Sequence, residues 1–292
     1  MSGESSSNEP KNPLGKAVEY DGKYQAELLF PICRQVKRDE LGLKPDSQKA
    51  LPFRGADIWN AYELSWLNLK GLPQVGIAEF IFPANSDNII ESKSFKLYLN
   101  SLNQSSFENR TALQAILEKD LSNAVGLYGI NSRVVVKIRG VEEIDENMIN
   151  SFRADCIDDQ DIMIDQYDYT PSLLTLANCE LSSAEIVQEN LCSHLLKSNC
   201  LITNQPDWAS VFIQYKGAKI RHEALLKYLV SFRTHNEFHE QCVERIFCDI
   251  LKYCQPEELT VYARYTRRGG LDINPWRSNC VTSMDNIRLV RQ

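Results

Sequence analysis

The chain has 292 residues, which at roughly 150 residues per domain predicts about two domains. Hydrophobic residues make up 43% and charged residues 24%, which is typical of globular domains and excludes a disordered or fibrous chain. With 32 basic and 39 acidic residues the net charge is −7, so the basic surface of a nucleic-acid-binding protein is not expected.

The compartment is predicted from the apolar runs and the cysteines. No apolar run reaches the roughly 18 residues that a membrane-spanning helix needs, and the polar start predicts no secretory signal peptide. Nine cysteines, an odd number without any C-x-x-C pair, predict reduced thiols rather than a disulfide framework. We therefore expect a cytoplasmic protein with neither a membrane nor a nucleic-acid partner.

Residues 1–20 are rich in Ser, Asn, Glu and Pro and are predicted to be a mobile tail. The rest of the chain repeats itself at an offset of about 130 to 145 residues, which favours a diverged tandem duplication. The predicted modules are residues 21–150 and 151–292. Repeated positions include Tyr24 and Tyr169, Tyr98 and Tyr228, and Ser101 and Ser231.

Both halves have the same predicted order of strand, helix and strand. Strands and helices segregate rather than alternate, which predicts an α+β fold with antiparallel sheets and helices packed on one face. The acidic stretch 142–168 is predicted to connect the halves. The elements are 75–82, 109–121 and 133–138 in the first half, and 208–215, 239–251 and 260–265 in the second.

The first candidate motif runs from Glu91 to Ser101 and carries several hydroxyl groups and two lysines, Lys93 and Lys96. Lysines near a helix start can bind phosphate. An ordinary solvated helix face is the alternative. Phe95 and Leu99, four residues apart, are predicted to face the core.

The second candidate motif is the polar turn after Ser198, where Cys200 is followed by Asp207 and then by a strand. A partly ionised cysteine is a strong nucleophile, and an aspartate across the turn can supply acid–base chemistry. The alternative is a half-buried cysteine and a turn-forming aspartate. The spacing of Cys192, His194 and Cys200 matches no common zinc motif, so no metal site is predicted.

Two further motifs lie in the second half. His239 and Glu240 begin a predicted helix, where the glutamate can accept hydrogen bonds from a purine-like ring or simply favour the helix N-terminus. Arg267-Arg268-Gly269-Gly270 is a basic glycine turn that can hold a phosphate or merely close a hairpin.

These segments, in this order and spacing, resemble the 7-cyano-7-deazaguanine reductases, the NADPH-dependent nitrile reductases of queuosine biosynthesis, in their long two-module form. The resemblance implies tandem tunnelling-fold (T-fold) modules, assembly as a homodimer, and NADPH as cofactor. It implies reduction of the nitrile of 7-cyano-7-deazaguanine to an aminomethyl group through a covalent thioimide and two hydride transfers.

The resemblance also implies a role for each candidate residue. Cys200 is the expected nucleophile and Asp207 the expected proton donor. The residues expected to hold the deazaguanine are Ile90, Glu91, Ser92, His239 and Glu240. The residues expected to contact NADPH are Ser92, Lys93, Lys96, Arg268 and Gly269.

Two other functions stay open at this point. One is a zinc-dependent pterin or purine ring hydrolase on the same type of fold, and the other is a non-catalytic module that binds a purine-like ligand. No common nucleotide-binding glycine motif occurs in the sequence, so cofactor binding depends on the resemblance alone.

Overall fold

The computed structural model describes residues 23–44, 50–127, 133–143, 149–177 and 185–292. The predicted mobile tail, residues 1–20, lies outside the described residues. No helix in these ranges is both long and apolar enough to cross a membrane.

The described residues form twelve strands and five α-helices. The strands are β1 Pro31–Cys33, β2 Arg54–Leu67, β3 Pro73–Pro83, β4 Asn88–Ile90, β5 Val135–Arg139, β6 Ile149–Asn150, β7 Asp155–Cys156, β8 Ile186–Asn199, β9 Pro206–Ala218, β10 Glu258–Tyr265, β11 Leu271–Ser278 and β12 Arg288–Leu289. The helices are α1 Gln35–Glu40, α2 Ser92–Ser101, α3 Arg110–Ala124, α4 His222–Val230 and α5 His239–Cys254.

Eight of these strands form one continuous sheet in the order β5-β3-β2-β11-β10-β9-β8-β7. Every neighbouring pair is antiparallel except β7 and β8, which are parallel. The ladder between β2 and β11 joins the first half of the chain to the second. The two remaining pairs of short strands, β1 with β4 and β6 with β12, lie outside this sheet.

The helices cover one face of the sheet. Successive side chains of a strand point to opposite faces, and Trp59 of β2 packs into the core with Phe95 of α2, whereas its neighbour Ile58 packs with Tyr262 in a cluster that contains no helix residue. The predicted α+β class, with antiparallel strands and helices on one face, is confirmed. Phe95 is fully buried and Leu99 nearly so, as their spacing predicts.

The two halves repeat a cluster of two tyrosines and an aspartate as well as an order of elements. In the first half, the hydroxyl groups of Tyr24 and Tyr98 both donate to Asp120, at 2.6 and 2.7 Å. This repetition supports the tandem duplication, while the division of the chain at residue 150 stays a prediction. The equivalent set in the second half is Tyr169, Tyr228 and Asp249, at 2.8 and 2.6 Å.

A buried ion network lies where the two halves meet. Glu244 of α5 accepts hydrogen bonds from Arg38 of α1 at 2.7 and 2.9 Å and from Arg277 of β11 at 2.9 and 3.1 Å. Arg277 also pairs with Asp57 of β2 at 2.8 Å, and Arg34 holds the same carboxylate. All five side chains are almost completely buried, so each charge depends on its partners.

Replacing Glu244 with glutamine is expected to lower the free energy of unfolding by about 3–5 kcal/mol, because buried Arg38 loses its anionic partner and buried Arg277 loses one of its two. Denaturant unfolding measures this change. The matched control is Glu257→Gln, which removes an exposed pair with Lys216 and should cost less than about 1 kcal/mol. Equal effects of the two substitutions would contradict this account of the network.

Candidate active site

Cys200 lies in the tight hairpin turn between β8 and β9. Its N–H donates to the carbonyl of Gln205 at 2.8 Å, and the N–H of Asn204 donates to the Cys200 carbonyl at 3.0 Å. Asn204 has a φ of 56°, the left-handed conformation that closes the turn. The turn holds the thiol at the end of the sheet, partly exposed rather than in the core.

Asp207, the second residue of β9, is buried beside two cationic or potentially cationic groups. Its Oδ2 atom is 3.3 Å from Nε2 of His239, and its Oδ1 atom accepts from Nη1 of Arg268. Burial by itself would raise the pKa of Asp207, but His239 and Arg268 outweigh it and hold the pKa below its ordinary value. The carboxyl group is therefore ionised at neutral pH.

His239 and Arg268 are in turn held by neighbours. The imidazole of His239 stacks on the ring of Tyr265, with 3.9 Å between centroids. Arg268 also donates to the side chain of Gln205 at 2.9 Å. Burial acts to lower the pKa of Arg268, but Asp207 and then the Cys200 thiol raise it. The guanidinium thus stands beside both the predicted nucleophile and the predicted acid.

Glu240 lies in the first turn of α5 with its side chain buried. Burial, and then the negative charge of Asp57, raise its pKa to about 7, although His239 acts in the opposite direction. A carboxyl group in this state changes its charge near neutral pH. Glu240 can therefore accept hydrogen bonds from a ring ligand when it is ionised.

Glu91 caps helix α2. Its two carboxylate oxygens accept from the backbone N–H groups of Lys93 at 3.0 Å and Ser94 at 2.7 Å. Capping satisfies two N–H groups that the first helical turn leaves without partners. The side chain of Glu91 therefore fixes the start of the helix, which sequence reasoning had not predicted.

The basic glycine turn connects β10 to β11 and meets helix α2. Gly269 and Gly270 have φ values of 57° and 78°, which glycine adopts without strain. The ammonium group of Lys96 donates to the carbonyl of Gly269 and pairs with Glu63 at 3.2 Å. Helix α2 of the first half is thereby joined to the basic glycine turn of the second half.

All eleven candidate residues line two adjoining cavities. The inner cavity has a volume of about 30 Å³ and the outer one about 330 Å³. Cys200, Ser92, His239 and Arg268 line both. The inner cavity also contacts Ile90, Asp207 and Glu240, and the outer one Glu91, Lys93, Lys96 and Gly269.

Sequence reasoning missed several residues of these cavities. Trp59 of β2 and Ile273 of β11 line the inner cavity. Tyr265 of β10 stacks against the imidazole ring of His239. Trp59 and Ile273 lie on strands of a mainly apolar pattern, so only the pairing of β2 with β11 reveals that they face the site.

The side chain of Cys200 does not belong to the group formed by Cys192 and His194, although the three residues lie close together in the sequence. Cys192 and His194 instead lie next to Cys156, and among the described residues this is the group of His, Cys and acidic side chains whose atoms meet closely enough for a metal. The zinc-dependent ring hydrolase that the sequence left open therefore gains no support from the residues around the cavities.

The fold and the cavities define a class: an α+β enzyme of two repeated halves, with a cysteine and buried carboxyl groups around a site that both halves build. Residues 20–137 match the family described as "Nitrile reductase, 7-cyano-7-deazaguanine-reductase N-term", and residues 206–283 match "QueF-like protein". The chain belongs to the family of NADPH-dependent 7-cyano-7-deazaguanine reductases.

A relative of known name agrees with this assignment. The chain is 56% identical over 282 residues to the NADPH-dependent 7-cyano-7-deazaguanine reductase of Chromobacterium violaceum, and the match covers 96% of both chains. A crystal structure of the archaeosine synthase QueF-Like in the apo form is 18% identical with a TM-score of 0.30, covering 35% of this chain and 99% of that one.

Proposed function

We propose that this chain uses NADPH to reduce the nitrile of 7-cyano-7-deazaguanine to a primary amine through a covalent thioimide on Cys200. The observation that carries the proposal is that a partly exposed thiol shares one cavity with the buried carboxyl groups of Asp207 and Glu240. The 56% identity with a reductase of this name, over 96% of the chain, supports the substrate and the cofactor.

The first step adds the thiol across the carbon–nitrogen triple bond. The sulfur of Cys200 forms a bond to the nitrile carbon, and the thiol proton ends on the nitrile nitrogen, so atoms and charge balance. Asp207 is ionised, so it can accept that proton from the thiol and pass it to nitrogen. Addition converts a poor hydride acceptor into a thioimide, whose carbon is more electrophilic.

The cavity must then protect the reacting carbon. Loss of the Cys200 thiolate after the first reduction leaves an imine, and both the thioimide and the imine hydrolyse in water. Ile90 and Trp59 contribute apolar walls to the inner cavity. Excluding water there keeps the imine in place until the second reduction gives the amine.

The outer cavity has the chemistry that a dinucleotide phosphate requires. Lys93, Lys96 and Arg268 line it together with the backbone of Gly269. Charged side chains and glycine amides of this kind bind phosphate groups. When bound, NADPH supplies one hydride for each of the two reductions. The side chain of Ser92 lies at the junction of the two cavities, between the proposed cofactor and substrate positions.

The proposed reaction is tested by its stoichiometry. Incubation with 7-cyano-7-deazaguanine and NADPH should give the aminomethyl product, identified by mass, with two NADPH oxidised per amine formed. Oxidation without an amine product would contradict the proposal.

Substrate recognition is proposed to depend on Glu240, with His239 beside it. The ionised carboxylate accepts hydrogen bonds from ring N–H groups. Since the pKa of Glu240 is raised to about 7, the affinity for the substrate should weaken as the pH falls below about 7.

Replacing Glu240 with glutamine is expected to raise KM for the nitrile about 10- to 100-fold, because charge-assisted hydrogen bonds are lost. The same variant should be more stable than wild type at pH 8, where the fold carries a buried charge, and no more stable at pH 4, where the carboxyl group is protonated in both states. Steady-state kinetics and thermal unfolding at both pH values measure these effects. An unchanged KM would exclude this role for Glu240.

The resemblance further supports a cytoplasmic homodimer that serves queuosine synthesis in tRNA modification. The named substrate is a small molecule, and neither a nucleic acid nor a membrane is proposed as a direct partner. Sedimentation of the purified chain would give its mass in solution, and a monomer would contradict the proposed dimer.

A further inference from the structure

A second group of reactive side chains lies away from the cavities, at the edge of the sheet. Cys156 of β7 is the register partner of Cys192 on β8. His194 follows two residues later on β8. The ligand atoms of these three residues lie within 4.8 Å of one another.

This spacing is close to that of a zinc site. Zinc bonds of about 2.3 Å to sulfur and 2.0–2.1 Å to nitrogen place tetrahedral ligand atoms about 3.6–3.8 Å apart. The three atoms therefore need to move by only about 1 Å. Two sulfurs and an imidazole are the donor set that zinc prefers to the harder divalent cations.

The surroundings supply a neighbouring carboxylate and an orienting contact. Oδ2 of Asp158 accepts from the backbone N–H of His194 at 2.8 Å, whereas its Oδ1 atom is buried without a hydrogen-bond partner among the described residues. Nδ1 of His194 is 2.8 Å from the hydroxyl oxygen of Ser210. Such a contact fixes an imidazole ring and leaves its other nitrogen for a metal.

We propose that Cys156, Cys192 and His194 bind one zinc ion that fixes the edge of the sheet, with water as the fourth ligand beside the carboxylate of Asp158. Strand β7 has only two residues and is the last strand of the sheet, so few backbone hydrogen bonds hold it. A metal that bridges β7 and β8 would compensate for the small number of these hydrogen bonds.

The site is independent of the proposed reductase chemistry. Cys192 and Cys200 are separated by eight residues of extended chain, or roughly 25 Å along β8 at about 3.3 Å per residue. None of the proposed zinc ligands lines either cavity. Loss of the zinc site and failure of the reductase proposal are therefore distinguishable.

The test is titration of the reduced, metal-stripped full chain with Zn²⁺ and, as a spectroscopic probe, Co²⁺. We expect one equivalent to bind, a thiolate-to-cobalt charge-transfer band, and a higher Tm in Zn²⁺. Cys192→Ser and Cys156→Ser should each abolish the band. Because Cys156 is exposed, its substitution should leave folding intact. Ser210→Ala should lower the affinity about 10-fold.

The matched controls are Cys280→Ser and Cys200→Ala, both of which should retain the cobalt band. Cys156→Ser should retain reductase activity. The proposal would be overturned by the absence of stoichiometric binding, by a cobalt band that survives in Cys156→Ser, or by peptide mapping that finds Cys156 and Cys192 joined in a disulfide in protein prepared with zinc.

Discussion

Replacing Cys200 with alanine is expected to lower nitrile-dependent NADPH oxidation by at least about 10⁴-fold, because the variant has no atom that can form the thioimide. The hairpin should remain closed, since the turn is held by backbone bonds to Gln205 and Asn204 that the substitution leaves in place. Substrate binding should change little, because Glu240 and His239 are untouched. Initial rates and equilibrium binding of the nitrile separate the two effects.

The matched control is Cys280→Ala. Cys280 is also partly buried, but it contacts Thr260 and Ser278 and lies outside both cavities. The rate of nitrile-dependent NADPH oxidation by the Cys280→Ala variant should stay close to that of the wild type. Nitrile-dependent oxidation of NADPH that survived in Cys200→Ala would show that the thiol is not the nucleophile.

Replacing Asp207 with asparagine is expected to slow the reaction on the order of 10²-fold or more. Asparagine keeps the shape of the side chain but cannot accept the thiol proton and pass it to nitrogen. It also removes the anion that His239 and Arg268 contact. The loss should appear in kcat and in the rate of adduct formation, measured by rapid quenching.

Asp161→Asn, which changes an exposed aspartate that lines neither cavity, is the control and should leave kcat unchanged. A nearly unchanged rate in Asp207→Asn would reduce Asp207 to an ion-pair partner of Arg268.

Since His239 and Arg268 keep the pKa of Asp207 low, the stability that it contributes is present above its unfolded pKa and is lost as the pH falls through its folded pKa.

Local patterns in the sequence predicted much of the site. The polar turn before a predicted strand placed Cys200 and Asp207 together, and the structure confirms the turn and the strand and adds β8 on its other side. The start of the helix at His239 followed from its apolar period. These features depend on residues near one another in the chain, so periodicity and turn chemistry suffice to predict them.

Contacts between distant segments could not be predicted. The contact of Arg268 with Asp207 requires β10 to pair with β9, which brings the turn after β10 beside the start of β9. A residue expected to hold only cofactor therefore also holds the carboxylate of Asp207. The capping role of Glu91 competes with its expected contact to substrate. Cys156 joins Cys192 because β7 adds to the sheet edge, and a two-residue strand has no sequence pattern.

Intact-mass spectrometry of the enzyme with 7-cyano-7-deazaguanine, in the absence of NADPH, shows directly whether the Cys200 thiol adds to the nitrile. We expect a mass increase equal to that of one whole substrate molecule, mapped to Cys200 by peptide analysis, because addition of the thiol to the nitrile expels nothing. Wild-type protein that turns over the nitrile while Cys200 is never modified would contradict this expectation.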